Sequence, residues 1–317
     1  MARYIIKRLI QSFFTVMLIV VIVFLLMRMM PTDYFFTEDE LIKLTDEQKL
    51  ARLNGAGLLD PPLQQLGNYL KGLFTRFDLG DSRRIQTGQP VVKVIGSKFG
   101  MSMRLGLISL AISLVIGVVM GVLQARYKDG ILDNIGTAYT VFVNAVPGLV
   151  TYSLILAFGA RAFGLPSLYT MRKPGPSSIL PIVCLSIGSI AGYMLWTRRY
   201  MVDELNKDYI RLAKLKGLST RQVMFRHVLK NAFVPLAQYL PYSVLLTVGG
   251  SILVERFFSV PGMGPLLTDA ISRYDVNLVQ GVVLLYATLG IIGVFLGDLL
   301  MTLIDPRIRL TDKGATR

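Results

Sequence analysis

The sequence predicts an all-α integral membrane protein with six transmembrane helices and both termini in the cytoplasm. Three observations carry this. Of its 317 residues, 53% are hydrophobic and 17% charged, whereas a soluble domain carries about 25% charged residues. The apolar residues gather into six runs, 9–27, 105–123, 135–160, 179–197, 232–254 and 278–296, each near the ~20 residues that a helix needs to cross the hydrocarbon core. The basic residues then alternate between sides. With the N-terminus inside, Arg3, Lys7 and Arg8, then Arg126 and Lys128, nine Lys or Arg between runs 4 and 5, and four after run 6 all fall inside. Only Arg161, Arg172, Lys173, Arg256 and Arg273 fall on the outer short loops. Eighteen against five satisfies the positive-inside rule once the long segment after run 1 is set aside.

A closed barrel is the other structure that lipid permits, but its strands would read as alternating segments of about ten residues, and these runs are long and do not alternate. Run 1 follows Arg3, Lys7 and Arg8 as a secretory signal would, yet no small-residue cleavage site follows, so it is kept as the first helix. The chain divides into 1–30 (tail and first span), 31–100 (an external segment) and 101–317 (a five-span core with a cytoplasmic loop at 203–235).

The external segment is too long and patterned for a passive linker. Thr37 with Glu40 reads as a capping box opening a helix toward Asn54 and Gly55, and Asp60 with Pro61 reads as an N-cap with proline at the first helical position. A second helix, PLQQLGNYLKGLF, follows. A small helical subdomain is expected; a solvated loop is the alternative.

Spans 2, 4 and 6 each hold a Gly-xxx-Gly pair, Gly117 with Gly121, Gly188 with Gly192, and Gly293 with Gly297. Apolar burial does not press helices together in lipid, so small residues mark close contacts, within this chain or at a dimer seam. Span 3 carries Asn144 and Pro147 in NAVPG, where a kink is expected, and span 5 carries Gln238, Tyr239, Pro241 and Tyr242. Polar or irregular helix at depth is tolerated where it faces protein or water, so Asn144, Pro147, Gln238 and Tyr242 are candidates for a translocation path, or else structural. Asp298 sits near the inner end of span 6 and reads as reaching the interface.

Catalytic constellations are missing. With one His and one Cys, neither a metal cluster nor a Ser/His/Asp or Cys/His site has its parts, and Cys184 has no partner for a disulfide. There is no Gly-Lys dipeptide, so a phosphate-binding P-loop is absent, and no chain of acidic residues lines the spans for ion coupling. No metal or cofactor is therefore expected in this chain, and no nucleic acid.

Between spans 4 and 5 the signal is positive. RLAKLKGLSTRQVMFRHVLKNAFVP contains no Asp or Glu and the chain's one His. A helical pattern over 203–216 meets Gly217 where a left-handed cap is needed. Ser219 with Gln222 forms a capping box, and Leu218 with Val223 has the spacing of a hydrophobic staple. Helix, fixed bend, helix, flanked by Lys214, Lys216 and Arg221, is a shape for a groove in another protein. A loop needed only for charge would not need a specified turn.

DYIRLAKLKGLSTRQVMFRHVLKNAFVP resembles the cytoplasmic EAA loop of ATP-binding-cassette importer permeases, in the form of the oligopeptide and dipeptide branch. ARYIIKRLIQSFFTV, DPPLQQLGNYLKGLFTRFDLGDS, VERFFSVPGMGPLLTDAISRYD and DPRIRL extend the resemblance over nearly the whole chain, and it is most similar to the B-type permease subunit. The general pattern, Glu-Ala-Ala then Gly after three residues, falls on Arg211, Leu212, Ala213 and Gly217, and its later proline falls on Lys230, with Pro235 beyond. These departures weaken a reading as a sugar or amino-acid permease.

The resemblance implies the type I, MetI-like permease fold in the inner or cytoplasmic membrane of a prokaryote. It implies a second permease as heterodimer partner, two cytoplasmic ATPases that hold ATP and Mg2+, and an external binding protein or lipoprotein. The ATPases would be contacted through Asp208, Arg211, Ala213, Lys214, Gly217, Leu218, Ser219 and Arg221. The binding protein would face Phe257, Pro261, Gly262, Met263 and Gly264. Oligopeptides or dipeptides are the expected cargo; nickel or metal chelates and glutathione are carried by the same family. An ion-coupled secondary transporter would instead show an inverted repeat, which the sequence does not display, and a non-transporting scaffold would not need the capped bend.

Overall fold

A computed structural model describes residues 2–29 and 32–304. The DPRIRL run and the basic tail after it lie outside the described residues. The helices are α1 (Ala2–Arg28), α2 (Glu38–Lys43), α3 (Asp46–Gly55), α4 (Pro62–Arg76), α5 (Val91–Arg126), α6 (Ile131–Ala145) and α7 (Gly148–Phe163). They continue as α8 (Pro174–Leu205), α9 (Asp208–Leu215), α10 (Thr220–Gln222), α11 (Leu229–Val248), α12 (Ile252–Phe257), α13 (Met263–Ser272) and α14 (Val276–Ile304). Among the described residues, β-pairing is limited to one isolated bridge between Asp81 and Pro90.

Among the described residues, five helical stretches are long and apolar enough to cross a membrane: Ile5–Arg28, Val91–Arg126, Pro174–Leu205, Thr220–Phe257 and Val276–Ile304. The sixth expected span is different. Instead of one kinked helix over 135–160, α6 and α7 meet at a 111° bend. Proline lacks the N–H that would continue α6, and its ring pushes the preceding residue out of the helical region. Val146 accordingly sits at ψ 128° and Pro147 at ψ 132°, so the chain leaves one helix and starts another. Pro235 and Pro241, by contrast, are carried inside α11.

The chain forms two units, residues 1–100 with 261–291 and residues 101–260 with 292–317. In the first, α13 and the start of α14 bury Met263, Leu266, Leu278 and Val282 against Val91 and Val94 at the start of α5. The expected external helices are present with two revisions. One helix from Thr37 to Gly55 is in fact two, because a second capping box, Thr45 with Gln48, opens α3 after Leu44 turns extended. Pro62 rather than Pro61 takes the first position of α4, and Asp60 is not its N-cap.

In the second unit α5 lies against α8. A Cβ on Gly117 would meet Tyr193 Cβ at 2.7 Å, and one on Gly121 would meet Thr197 Cβ at 2.6 Å, so both glycines are needed for the approach. The Ser113 hydroxyl donates to Ser186 O at 3.2 Å and the Ser109 hydroxyl to Ile182 O at 3.3 Å, which adds cross-helix hydrogen bonds where lipid offers none. Gly293 packs on Tyr242 and Gly297 on the carbonyl of Gln238 in the same close manner. Among the described residues nothing lies within 4 Å of a Cβ on Gly188 or Gly192, so of the three pairs this one makes no close helix contact there.

Candidate functional site

Helicity over 203–216 is not continuous. α8 ends at Leu205, Lys207 turns extended, and α9 restarts at Asp208. α9 buries Ile210 and Ala213 in a cluster with Met201, Val223, Met224 and Val228. Its end is a full Schellman motif: the Leu218 N–H donates to Ala213 O at 3.3 Å and the Gly217 N–H to Lys214 O at 3.0 Å. Gly217 holds φ +81°, a left-handed conformation that costs a residue with a side chain roughly 1–2 kcal/mol.

The next turn is fixed as firmly. The Gln222 N–H donates to the Ser219 hydroxyl at 3.3 Å and the Ser219 N–H to Gln222 Oε1 at 2.9 Å. Leu218 and Val223 both pack on the buried cluster, as a hydrophobic staple requires. After the box the chain widens into a π-helical segment over Val223–Val228. The bend thus presents Arg211, Lys214, Lys216 and Arg221 outward, with Leu212 at 58% and Leu215 at 83% exposure among them. Asp208 and Arg211 pair weakly at 3.5 Å on the same exposed face.

A polar knot ties the bend to α8 and α11. Glu204 is buried and receives the Tyr209 hydroxyl, the Asn231 amide at 3.0 Å and the Lys207 ammonium at 2.5 Å. Burial, and then the carboxylate beside it, push the Tyr209 phenol up to about 12, so it remains a donor. A second knot joins α6 to α8: Arg198 Nε and Nη2 reach the two oxygens of buried Asp133 at 2.5 and 2.7 Å. Exposed Leu212 and Leu215 are therefore carried on a turn that the Glu204 contacts tie to both α8 and α11.

The path candidates are dispersed. Asn144 is exposed, with its amide donating to Thr140 O at 2.8 Å, and Pro147 is the break described above. Gln238 donates to Asp298 Oδ1 at 3.0 Å, and Tyr242 is half-buried against Gly293. Asp298 is itself buried, which revises the expectation that it reaches the interface. At the expected docking loop, Phe257 is half-buried and packs edge-on against Tyr152, and Pro261 is half-buried. Gly262, Met263 and Gly264 are buried, so this structure does not offer them as an outer surface.

Sequence reading missed Glu255 and Asp275, which stand in the quoted VERFF and SRYD stretches. Glu255 is buried beneath Gly250, with the Ser102 hydroxyl donating to Oε1 at 2.6 Å. Asp275 is fully buried and gathers a loop 190 residues away. Their position between spans was the available signal; their partners were not.

Residues 113–310 match the family described as binding-protein-dependent transport system inner membrane component. The chain is similar to the dipeptide transport system permease protein DppB of Lactococcus lactis, 33% identical over 98% of this chain and 100% of that protein. It is also 33% identical to DppB of Bacillus subtilis, over 99% of this chain and all of the relative. The oligopeptide transport system permease protein AmiC of Streptococcus pneumoniae is 35% identical over 66% of this chain, and the match spans 42% of AmiC.

Proposed function

The chain belongs to the family of binding-protein-dependent transport system inner membrane components, and on that premise we propose that it is the permease subunit of an ATP-driven importer of oligopeptides or dipeptides. It is a multi-pass membrane protein. Names of the relatives that align end to end support a peptide as cargo. In this reading the membrane is the cytoplasmic membrane of a prokaryote, a second permease completes the path, and both termini are cytoplasmic. Two ATPase chains hold ATP and Mg2+, and an external binding protein delivers the substrate.

The observation that carries the coupling step is the doubly capped bend at Gly217. A lever must keep its shape under load, and here the Schellman motif, the capping box and the Glu204 knot fix the turn while Leu212 and Leu215 stay exposed for a groove. Closure of the ATPase pair on ATP would move two such knobs and turn the path outward, and hydrolysis would return it, as ligands with different affinity for two states must do.

The test is Gly217→Val in the purified complex. Nothing lies within 4 Å of a Cβ at this position, so the change acts through φ +81° and not through a clash. The spans should remain folded while stimulation of ATP hydrolysis by loaded binding protein is lost. Retained stimulation would overturn the coupling role.

A further inference from the structure

Within the first unit lies a cavity of about 280 Å3 that the transport reading does not use. The end of α1, the 56–58 loop, α4, Arg83 and the start of α14 wall it. Gln65 on α4 is 8% exposed, and its amide nitrogen donates to Leu58 O at 2.9 Å and to Asp60 O at 2.7 Å. Two carbonyl acceptors settle which end of the amide is nitrogen, so the oxygen is the atom left over. Gln65 Oε1 is buried and has no donor among the described residues. Such an acceptor costs about 1–3 kcal/mol until an N–H or O–H reaches it.

Two cations share the cavity. The Arg83 guanidinium lies 4.6 Å from the centroid of the Phe35 ring and the Arg28 guanidinium 5.0 Å from that of Phe24. Stacking on a ring orients the planar fork, which matches a carboxylate with two parallel N–H donors. Among the described lining residues there is no Asp or Glu. Burial raises the Tyr69 phenol, which keeps it a donor beside the arginines. Asn277 spends its amide nitrogen on Asp81 O at 2.9 Å, which leaves its carbonyl end as a further acceptor. The cavity is thus complementary to one anionic group with an N–H close by, in a volume at the lower end of ligand pockets, about 300 Å3.

We propose that this cavity binds the carboxyl end of a short peptide, with the terminal carboxylate on Arg83 and the last amide N–H on Gln65 Oε1. A peptide terminus is the simple chemistry that places a carboxylate and an amide N–H on the same Cα. The inference rests on the peptide reading for the source of the ligand, but its chemistry is tested without transport.

The experiment is calorimetric titration of the full-length chain in phosphatidylcholine nanodiscs with tri-alanine, its C-terminal amide, its analogue N-methylated at the last amide, and inorganic phosphate. Tri-alanine should bind, while the C-terminal amide and the N-methyl analogue should each bind at least tenfold more weakly. Arg83→Gln, at an exposed position, should weaken tri-alanine to the same degree, and Arg83→Lys should recover part of it. Equal binding of the amide or the N-methyl analogue, phosphate as good as tri-alanine, or an Arg83→Gln variant with unchanged affinity would each overturn the proposal. Peptide uptake by the assembled complex is measured alongside. Uptake without titrable binding sinks the cavity site alone, whereas binding without uptake sinks the transport reading and leaves the site.

Discussion

Asp275 accepts four hydrogen bonds on one oxygen, from the Ser82 hydroxyl at 2.5 Å and from the backbone N–H groups of Arg83, Arg84 and Ile85 at 3.0–3.1 Å. Asp275→Ala would leave three backbone donors without an acceptor, at about 1–3 kcal/mol each where they stay buried. The 82–85 loop should then open, and trypsin should cut after Arg83 and Arg84 in the variant and not in the parent chain; equal cutting would show that the carboxylate does not hold the loop. Glu40 gives a prediction in pH. Its carboxyl is held below the usual range, first by the Thr37 backbone N–H and then by Arg52. A depressed folded value means that the stability it contributes is present above the unfolded pKa of about 4.3 and is lost as pH falls through the folded one. The Glu40 carboxyl should therefore titrate below about 4.3 by NMR, and Arg52→Gln should move the midpoint up. A midpoint at the ordinary value would refute the depression, and a depressed midpoint unmoved by Arg52→Gln would leave the Thr37 cap as its cause and remove Arg52. Neither residue was equally visible in sequence: Glu40 lies three positions from its cap partner, while the partners of Asp275 lie about 190 positions away.

At the scale of elements, local chemistry was legible and its failures are instructive. The Gly217 cap, the Ser219 box and the Leu218 staple depend on residues within five positions of one another, and each is found where the spacing puts it. Thr45 with Gln48 obeys the same rule and opens a second helix where the sequence reading expects one continuous helix. The 111° bend between α6 and α7 is a case of degree: NAVPG announced a proline defect, but whether proline kinks or ends a helix depends on what packs around it, since Pro235 and Pro241 remain inside α11. Pro147→Ala separates the causes. Spin labels at Ile135 and Phe158, both exposed, stand at the ends of arms of roughly 17 Å at 1.5 Å rise per residue. They should lie about 20 Å apart across the bend and about 35 Å apart if the helices rejoin. Lengthening in the variant assigns the bend to proline; an unchanged distance assigns it to packing of α6 and α7 on α8.

For the molecule as a whole, that bend decides topology, because five crossings and six place the C-terminal half on opposite sides. Hydropathy alone does not choose, since a pair bent this far can be a broken span or a re-entrant loop. Charge does. If α6 and α7 cross as a pair, eighteen basic residues of the short segments lie inside and five outside. If they return to the side they came from, Arg161, Arg172 and Lys173 move inside, and the nine basic residues between apolar runs 4 and 5 move outside together with the C-terminal four. Counting Arg256 and Arg273 as well, the balance becomes ten inside and thirteen outside, against the rule that orients short loops. In the proposed reading it would also put the capped bend at Gly217 on the face away from the ATPases. The crossing arrangement is expected to show in single-cysteine chains built on Cys184→Ala. A membrane-impermeant maleimide added from outside should label Lys173→Cys and spare Lys128→Cys and Lys216→Cys until the membrane is opened. Protection of both Lys128→Cys and Lys173→Cys, with Lys216→Cys labelled from outside, would make α6 and α7 a re-entrant pair and place the capped bend at Gly217 on the outer side.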